Sequence, residues 1–184
     1  MDSILNCIKT NCKPYLEILN KCEKGRLLVR GSKYQKDSIK EYQKNVEVRN
    51  PLNMPIEIHN TLNLKFEAEF GWKIRNGIFC FGFNILNSTP IDLGYGENHM
   101  FFPKGEFDFV YEQNAFDLYY YLSINELSIE ENIDSLKFHS TDLCSAMKSG
   151  ENENLFSNEI SIKAKSYYLI NMKLKDEITN HIWS

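Results

Sequence analysis

Ile4, Ile8, Tyr15, Leu19 and Cys22 recur on one helical face, with Pro14 interrupting the run. Proline is tolerated in the first turn of a helix, where its missing amide hydrogen would be unbonded anyway. The pattern therefore predicts one short helix before Asn11 and a second from Pro14, closed by Gly25. Arg26 to Arg30 reads as a short strand stopped by Gly31. Residues 32–50 are highly polar and read as an exposed loop, with some helix around Ser38 to Gln43. After Pro51 and Pro55, Ile58, Leu62, Phe66 and Phe70 recur every four residues and predict a helix that Gly71 ends.

The second half reads mainly as strands. The apolar run Gly77 to Phe83, bracketed by glycines, fits a buried strand. Met100 to Phe102 and Phe107 to Tyr111 read as strands joined by the turn Pro103 to Glu106, after a loop-like stretch from Asn84 to Asn98. Ala115 to Leu122 fits helix or strand. Glu130 to Asp134 is acidic and reads as exposed, and Thr141 or Asp142 can cap a short helix that Gly150 ends. Glu159 to Ala164 and Tyr167 to Leu174 read as a terminal pair of strands. Leading helices followed by runs of strands, without a βαβ alternation or a repeat, indicate one α+β domain over residues 1–184.

Composition narrows the partners. At 184 residues with 42% hydrophobic side chains, the chain can bury one ordinary core, and 13% aromatics make that core rich in Phe and Tyr. A net charge of −4 lacks the basic footprint of phosphate-backbone binding, which disfavours nucleic acid and favours a protein or small-molecule partner. Cys7, Cys12, Cys22, Cys80 and Cys144 are odd in number and irregular in spacing. They make a poor disulfide framework and a poor zinc site, so the expectation is five reduced thiols, no metal and a cytoplasmic protein. The first residues lack the pattern of a signal peptide, and no apolar run reaches membrane-spanning length. Asn87-Ser88-Thr89 matches a glycosylation site by accident on this reading.

No Walker loop, GxGxxG, HExxH or GxSxG motif is present, so the common nucleotide and hydrolase signatures are absent. Three features could carry chemistry. Arg30 closes the apolar strand Leu27-Leu28-Val29, where its planar fork could take a diphosphate; a carboxylate at the sheet edge would satisfy it equally well. Arg75-Asn76-Gly77 leads into Ile78 to Gly82, a strand whose glycine permits close approach of a ligand; it also reads simply as core. Glu159 stands where a polar loop enters a strand and could stabilise an oxocarbenium-like charge; a solvated strand-start glutamate is the plainer reading.

Taken in order, these features resemble the mono-ADP-ribosyltransferase family, with its arginine, Ser-Thr-Ser and Glu-x-Glu signature. The likeness is to small phage-encoded members. It is carried by LLVRG at 27–31, FGWKIRNGIFCFG at 70–82, Tyr95-Gly96, FFPKGEF at 101–107 and SNEISIKAKSYYLI at 157–170, and spans most of residues 14 to 174. It implies a split β-sheet core with N-terminal helices, and transfer of ADP-ribose from NAD to a host protein in the host cytoplasm, with no metal. Glu159 would be the catalytic glutamate. Arg30, beside Gly31, would act with it and hold the NAD phosphates or the nicotinamide-side ribose. Phe79, Cys80 and Gly82 would lie on the strand that shapes the nicotinamide pocket, and Ser157 and Asn158 would belong to the substrate loop. The chain departs from the family twice. Cys80-Phe81-Gly82 lacks the hydroxyls, and Ser157 replaces the Glu or Gln that guides transfer to arginine or asparagine, which leaves the acceptor open. Two other readings stand beside it: a non-enzymatic protein that blocks a host factor on a degenerate version of the fold, and a small virion or accessory structural protein.

Overall fold

The computed structural model describes residues 2–33, 37–43, 54–86, 96–112, 118, 122, 129–148 and 159–183. Two helices, α1 (Asp2–Asn11) and α2 (Lys13–Leu19), open the chain, with Pro14 in the first turn of α2. Helical bonds run on through Cys12 (Cys12 N–H to Ile8 O, Leu16 N–H to Cys12 O), so Ile8, Cys12, Tyr15 and Leu19 present one buried face. Helix α3 (Ile56–Phe70) ends at Gly71, whose φ of 73° is the left-handed cap that glycine adopts without strain. Further helices are α4 (Ile129–Ser135), α5 (Leu143–Lys148) and α6 (Lys175–Ile182).

The strands are β1 (Arg26–Ser32), β2 (Ile39–Gln43), β3 (Ile78–Asn84), β4 (Glu97–Pro103), β5 (Asp108–Glu112), β6 (Phe138–His139), β7 (Ile160–Lys163) and β8 (Ser166–Asn171). Among the described residues they form one antiparallel sheet in the order β2-β8-β4-β1-β3-β7-β5-β6. The fold is thus mixed α+β. The short links β4–β5 and β7–β8 do not make hairpins. β4 pairs with β8, and β5 with β7, so both links carry the chain from one end of the sheet to the other. The two bends lie side by side, because the Lys104 amide donates to the Ser166 carbonyl at 3.0 Å. Strands β1 and β3 run between the two paired ends.

The core divides accordingly. One cluster, with Tyr15, Leu28, Phe101, Phe102 and Ile160, lies under α1, α2 and α5. A second joins α3 to β5 through Ile58, Leu62, Phe66, Trp72, Ile74 and Val110. Neighbouring Val110 and Tyr111 belong to different clusters, as the two-residue period of a strand requires.

Several expectations are corrected. Residues 39–43 form β2 rather than helix: pairing with β8 supplies the backbone bonds, and Tyr42 stacks on Tyr167 with ring centroids 5.3 Å apart. Glu130 to Asp134 lies within α4, whose Asn132 and Ile133 are buried and whose Ile133 carbonyl accepts from Lys65. The strand from Tyr167 stops at Asn171, and α6 follows. Most of Ala115 to Leu122 lies outside the described residues. Cys22 and Cys144, 122 positions apart, form a disulfide with Cα atoms 5.3 Å apart; Cys7, Cys12 and Cys80 are free. Packing of α2 against α5 brings the two sulfurs together, which spacing along the chain does not reveal. The cysteines therefore no longer speak for a reducing compartment. Among the described residues, no helix is long and apolar enough to cross a membrane.

Candidate functional site

The strands that carry the three sequence features are neighbours: β1 pairs with β3, and β3 with β7. Their registers decide which side chains share a face, since residues directly opposite point the same way. Cys80 stands opposite Ile160, and Phe79 opposite Ser161. Cys80 and Ile160 point into the larger core, while Ser161 lines a depression between β5, β7 and the α3 region. Glu159, two residues before Ser161, lines the same depression.

What holds Glu159 there is Arg75. Its Nη1 donates to Glu159 Oε1 at 2.5 Å, with side chains 8% and 15% exposed, and its guanidinium carbon lies 4.4 Å from the centre of the Phe79 ring. The local fold explains why Arg75 is available. Gly71 ends α3, Trp72 and Ile74 turn inward, and residues Ile74–Asn76 form a 3₁₀ turn. Asn63, on the buried side of α3, accepts the Arg75 amide at 2.9 Å through Oδ1 and donates to Asn76 Oδ1 at 3.2 Å. The turn is pinned from the helix before it, and β3 then starts with Phe79 under the guanidinium.

The depression is small, with about 10 Å³ open to a water-sized sphere, room for about one water molecule and far below the roughly 300–1,000 Å³ of common small-molecule sites. Arg75, Tyr111, Glu112, Glu159 and Ser161 supply its polar lining over apolar Val110 and Leu118. Burial raises the Tyr111 hydroxyl above its ordinary value, so it stays protonated as a donor.

Arg30 has a different position. Val29 is opposite Phe81, so strand alternation starts Arg30 on the Cys80 side, away from Glu159. Its Nη1 donates to the Phe79 carbonyl at 2.6 Å, just past the last β1–β3 pair. Arg30 and Glu159 do not touch; they are linked through Phe79, whose carbonyl holds one arginine and whose ring carries the other. Across β4, Arg30 is opposite His99, which is fully buried. His99 Nδ1 lies 2.8 Å from the Glu97 carbonyl, so Nδ1 carries the hydrogen, and the buried Nε2 has no partner among the described residues.

The other residues named from sequence are enclosed or undescribed. Cys80 is completely buried; burial pushes its thiol up to about 12, with the Arg30 charge pulling the other way. Gly82 faces α5, where a Cβ would stand 2.3 Å from the Met147 Cα. Gly31 is half-buried in β1 opposite Asn98 of β4. Ser157, Asn158 and Tyr95 lie outside the described residues. In the sequence Arg75 reads only as the lead into a core strand. Its one available signal was the polar pair His59 and Asn63, four residues apart beside the apolar stripe of α3. Among the described residues, no group of three or more His, Cys, Asp or Glu side chains could hold a metal ion. Comparison with protein-family models, with curated proteins and with solved structures finds no match.

Proposed function

We propose that the protein is an ADP-ribosyltransferase, moving ADP-ribose from NAD to a protein of a bacterial host, with Glu159 as the catalytic carboxylate. The observation that carries this reading is the placement of Glu159 at the start of β7. It lines a shallow depression, largely shielded from solvent and oriented by a guanidinium, beside the strand that resembles the nicotinamide-pocket strand. Cleavage of the glycosidic bond to nicotinamide develops positive charge on the anomeric carbon. A fixed carboxylate stabilises that charge more in the transition state than in the ground state. Nicotinamide leaves readily, so positioning and electrostatics suffice and no metal is required. Incubation with labelled NAD and a bacterial lysate tests the reading: one labelled band is expected, and NAD that remains unhydrolysed and untransferred overturns it.

A second reading, a non-enzymatic protein that binds and blocks a host factor, has its own observation. Cys80 and Gly82 are sealed beneath α5, so that strand offers a ligand no hydroxyl and no open backbone at those positions. Co-purification of a stoichiometric partner with no NAD binding distinguishes it from the first.

A further inference from the structure

Cys12 carries the helical bonds from α1 into α2 and keeps the two helices in phase. Beside their buried face runs a second stripe: Leu5 and Lys9 on α1, then Leu16 and Asn20 at the end of α2, each pair four residues apart. Helix α6 packs against the same end of the molecule. Trp183, just past it, donates its indole N–H to the Leu19 carbonyl at 3.2 Å, and Ile178 is completely buried in the larger core. His181 and Ile182 line, with the stripe, a groove that has about 130 Å³ open to a water-sized sphere. That is close to the roughly 150 Å³ of an engineered apolar cavity, in another protein, that stays dry and binds benzene. Leu5, Leu16 and Ile182 rest on the core and keep part of their surface for the groove, which buried Ile8 also lines. Water in such a space finds few hydrogen-bond partners, so an apolar group displaces it favourably.

The polar part of the lining favours an anion. Lys9 is a cation, the Asn20 amide can donate, and no Asp or Glu among the described residues lines the groove. We propose that this groove binds a small hydrophobic monocarboxylate. Its single ring, or a branched chain of similar size, sits among Leu5, Leu16 and Ile182, and its carboxylate lies at the rim beside Lys9 and Asn20. Apolar walls with a few placed polar groups are the common make-up of small-molecule sites. Size and charge set the class. A nucleotide or a long acyl chain exceeds the space, and a dicarboxylate would press a second charge against apolar walls. The groove shares no residue with the Glu159 depression, so the site stands apart from the transferase reading.

Titration of the isotope-labelled full chain with benzoate, followed through amide chemical shifts, tests the proposal. Saturable shifts are expected at Leu5, Lys9, Leu16 and Ile182, with a dissociation constant on the order of 0.1 to 1 mM for a ligand of this size. Benzamide, the neutral isostere, should bind about 2- to 5-fold more weakly, the range for losing an exposed ion pair. Lys9→Met should weaken benzoate by that same factor and leave benzamide unchanged. Leu16→Trp fills the groove from α2 and should weaken both ligands by about tenfold or more. Leu5→Phe fills it from α1 and serves as the second test if Leu16→Trp loses its circular dichroism. Benzoate binding that persists in a folded groove-filling variant overturns the proposal, as do shifts confined to other parts of the molecule. Benzamide binding as tight as that of benzoate removes the carboxylate from it, and no saturation below about 10 mM benzoate removes the site.

Discussion

Arg75 and Glu159, 84 residues apart in the chain, meet at 2.5 Å on the cleft side of the sheet, with the guanidinium stacked on Phe79. A pair this enclosed is expensive to desolvate, and breaking it from one side leaves the other charge stranded. Arg75→Met should therefore cost about 3 kcal/mol in urea unfolding, while Arg75→Met/Glu159→Gln should cost less than the sum of its two singles. Simple additivity would mean that the two side chains do not act as a unit.

The proposed transfer reaction gives a separate expectation for the carboxylate. Glu159→Gln keeps the size of the side chain and removes the charge, so transfer from NAD should fall by on the order of 100- to 1000-fold. NAD affinity, measured by titration, should change far less. Transfer within a factor of two of the unaltered protein would take Glu159 out of the mechanism.

Gly82, assigned to the pocket strand by resemblance, is held by packing instead. In Gly82→Ala the new methyl would meet the Met147 backbone at 2.3 to 2.5 Å, and helix α5 would have to move. We expect a loss of about 3 kcal/mol or more, the upper end of overpacking effects, measured as a drop in the denaturation midpoint. A variant as stable as the parent would show that α5 does not pack there.

The cysteines divide three ways. Alkylation of the unfolded chain without reductant should label three thiols, and five after reduction, since Cys22 and Cys144 are joined. In the folded protein at pH 8 only Cys7 should react promptly, because burial pushes Cys12 and Cys80 up to about 12 and leaves little thiolate. The disulfide closes a span of 122 residues. By the chain-entropy relation its reduction should lower stability by about 4 to 5 kcal/mol. Five labelled thiols without reductant would exclude the bond.

Stability should also depend on pH through His99. Burial holds its imidazole below the ordinary value of 6.5, opposed by the Glu97 carbonyl and the Glu97 charge. The unfolded chain therefore takes up this proton first as pH falls. The contribution is intact above about pH 6.5 and is lost as pH drops toward the lower folded value. Unfolding midpoints measured at pH 7.5 and pH 5 should separate in that direction, and His99→Gln should narrow the gap. An unchanged gap would assign the acid sensitivity to other groups.

Much of the local structure was legible in the sequence, and for local reasons. Ile58, Leu62 and Phe66 recur at helical spacing and stop at a glycine, so α3 and its Gly71 cap follow from periodicity and backbone sterics. The run Ile78 to Phe83 is too apolar and too glycine-bounded to be anything but a buried strand. The sequence also marked Glu159 and β3 as places where chemistry could sit. Tertiary structure decided which residues meet. Residues 39–43 carry no strand pattern of their own and became β2 because β8 presented an open edge. The strands on either side of Lys104 to Phe107 looked like a hairpin, yet they pair at different ends of the sheet. Arg75 faces Glu159, and Cys22 reaches Cys144, through contacts between residues 84 and 122 positions apart. Periodicity reports how each segment divides its own side chains between core and solvent; it holds no information on the partner that a buried charge or thiol will find, because that is set by how the segments pack together.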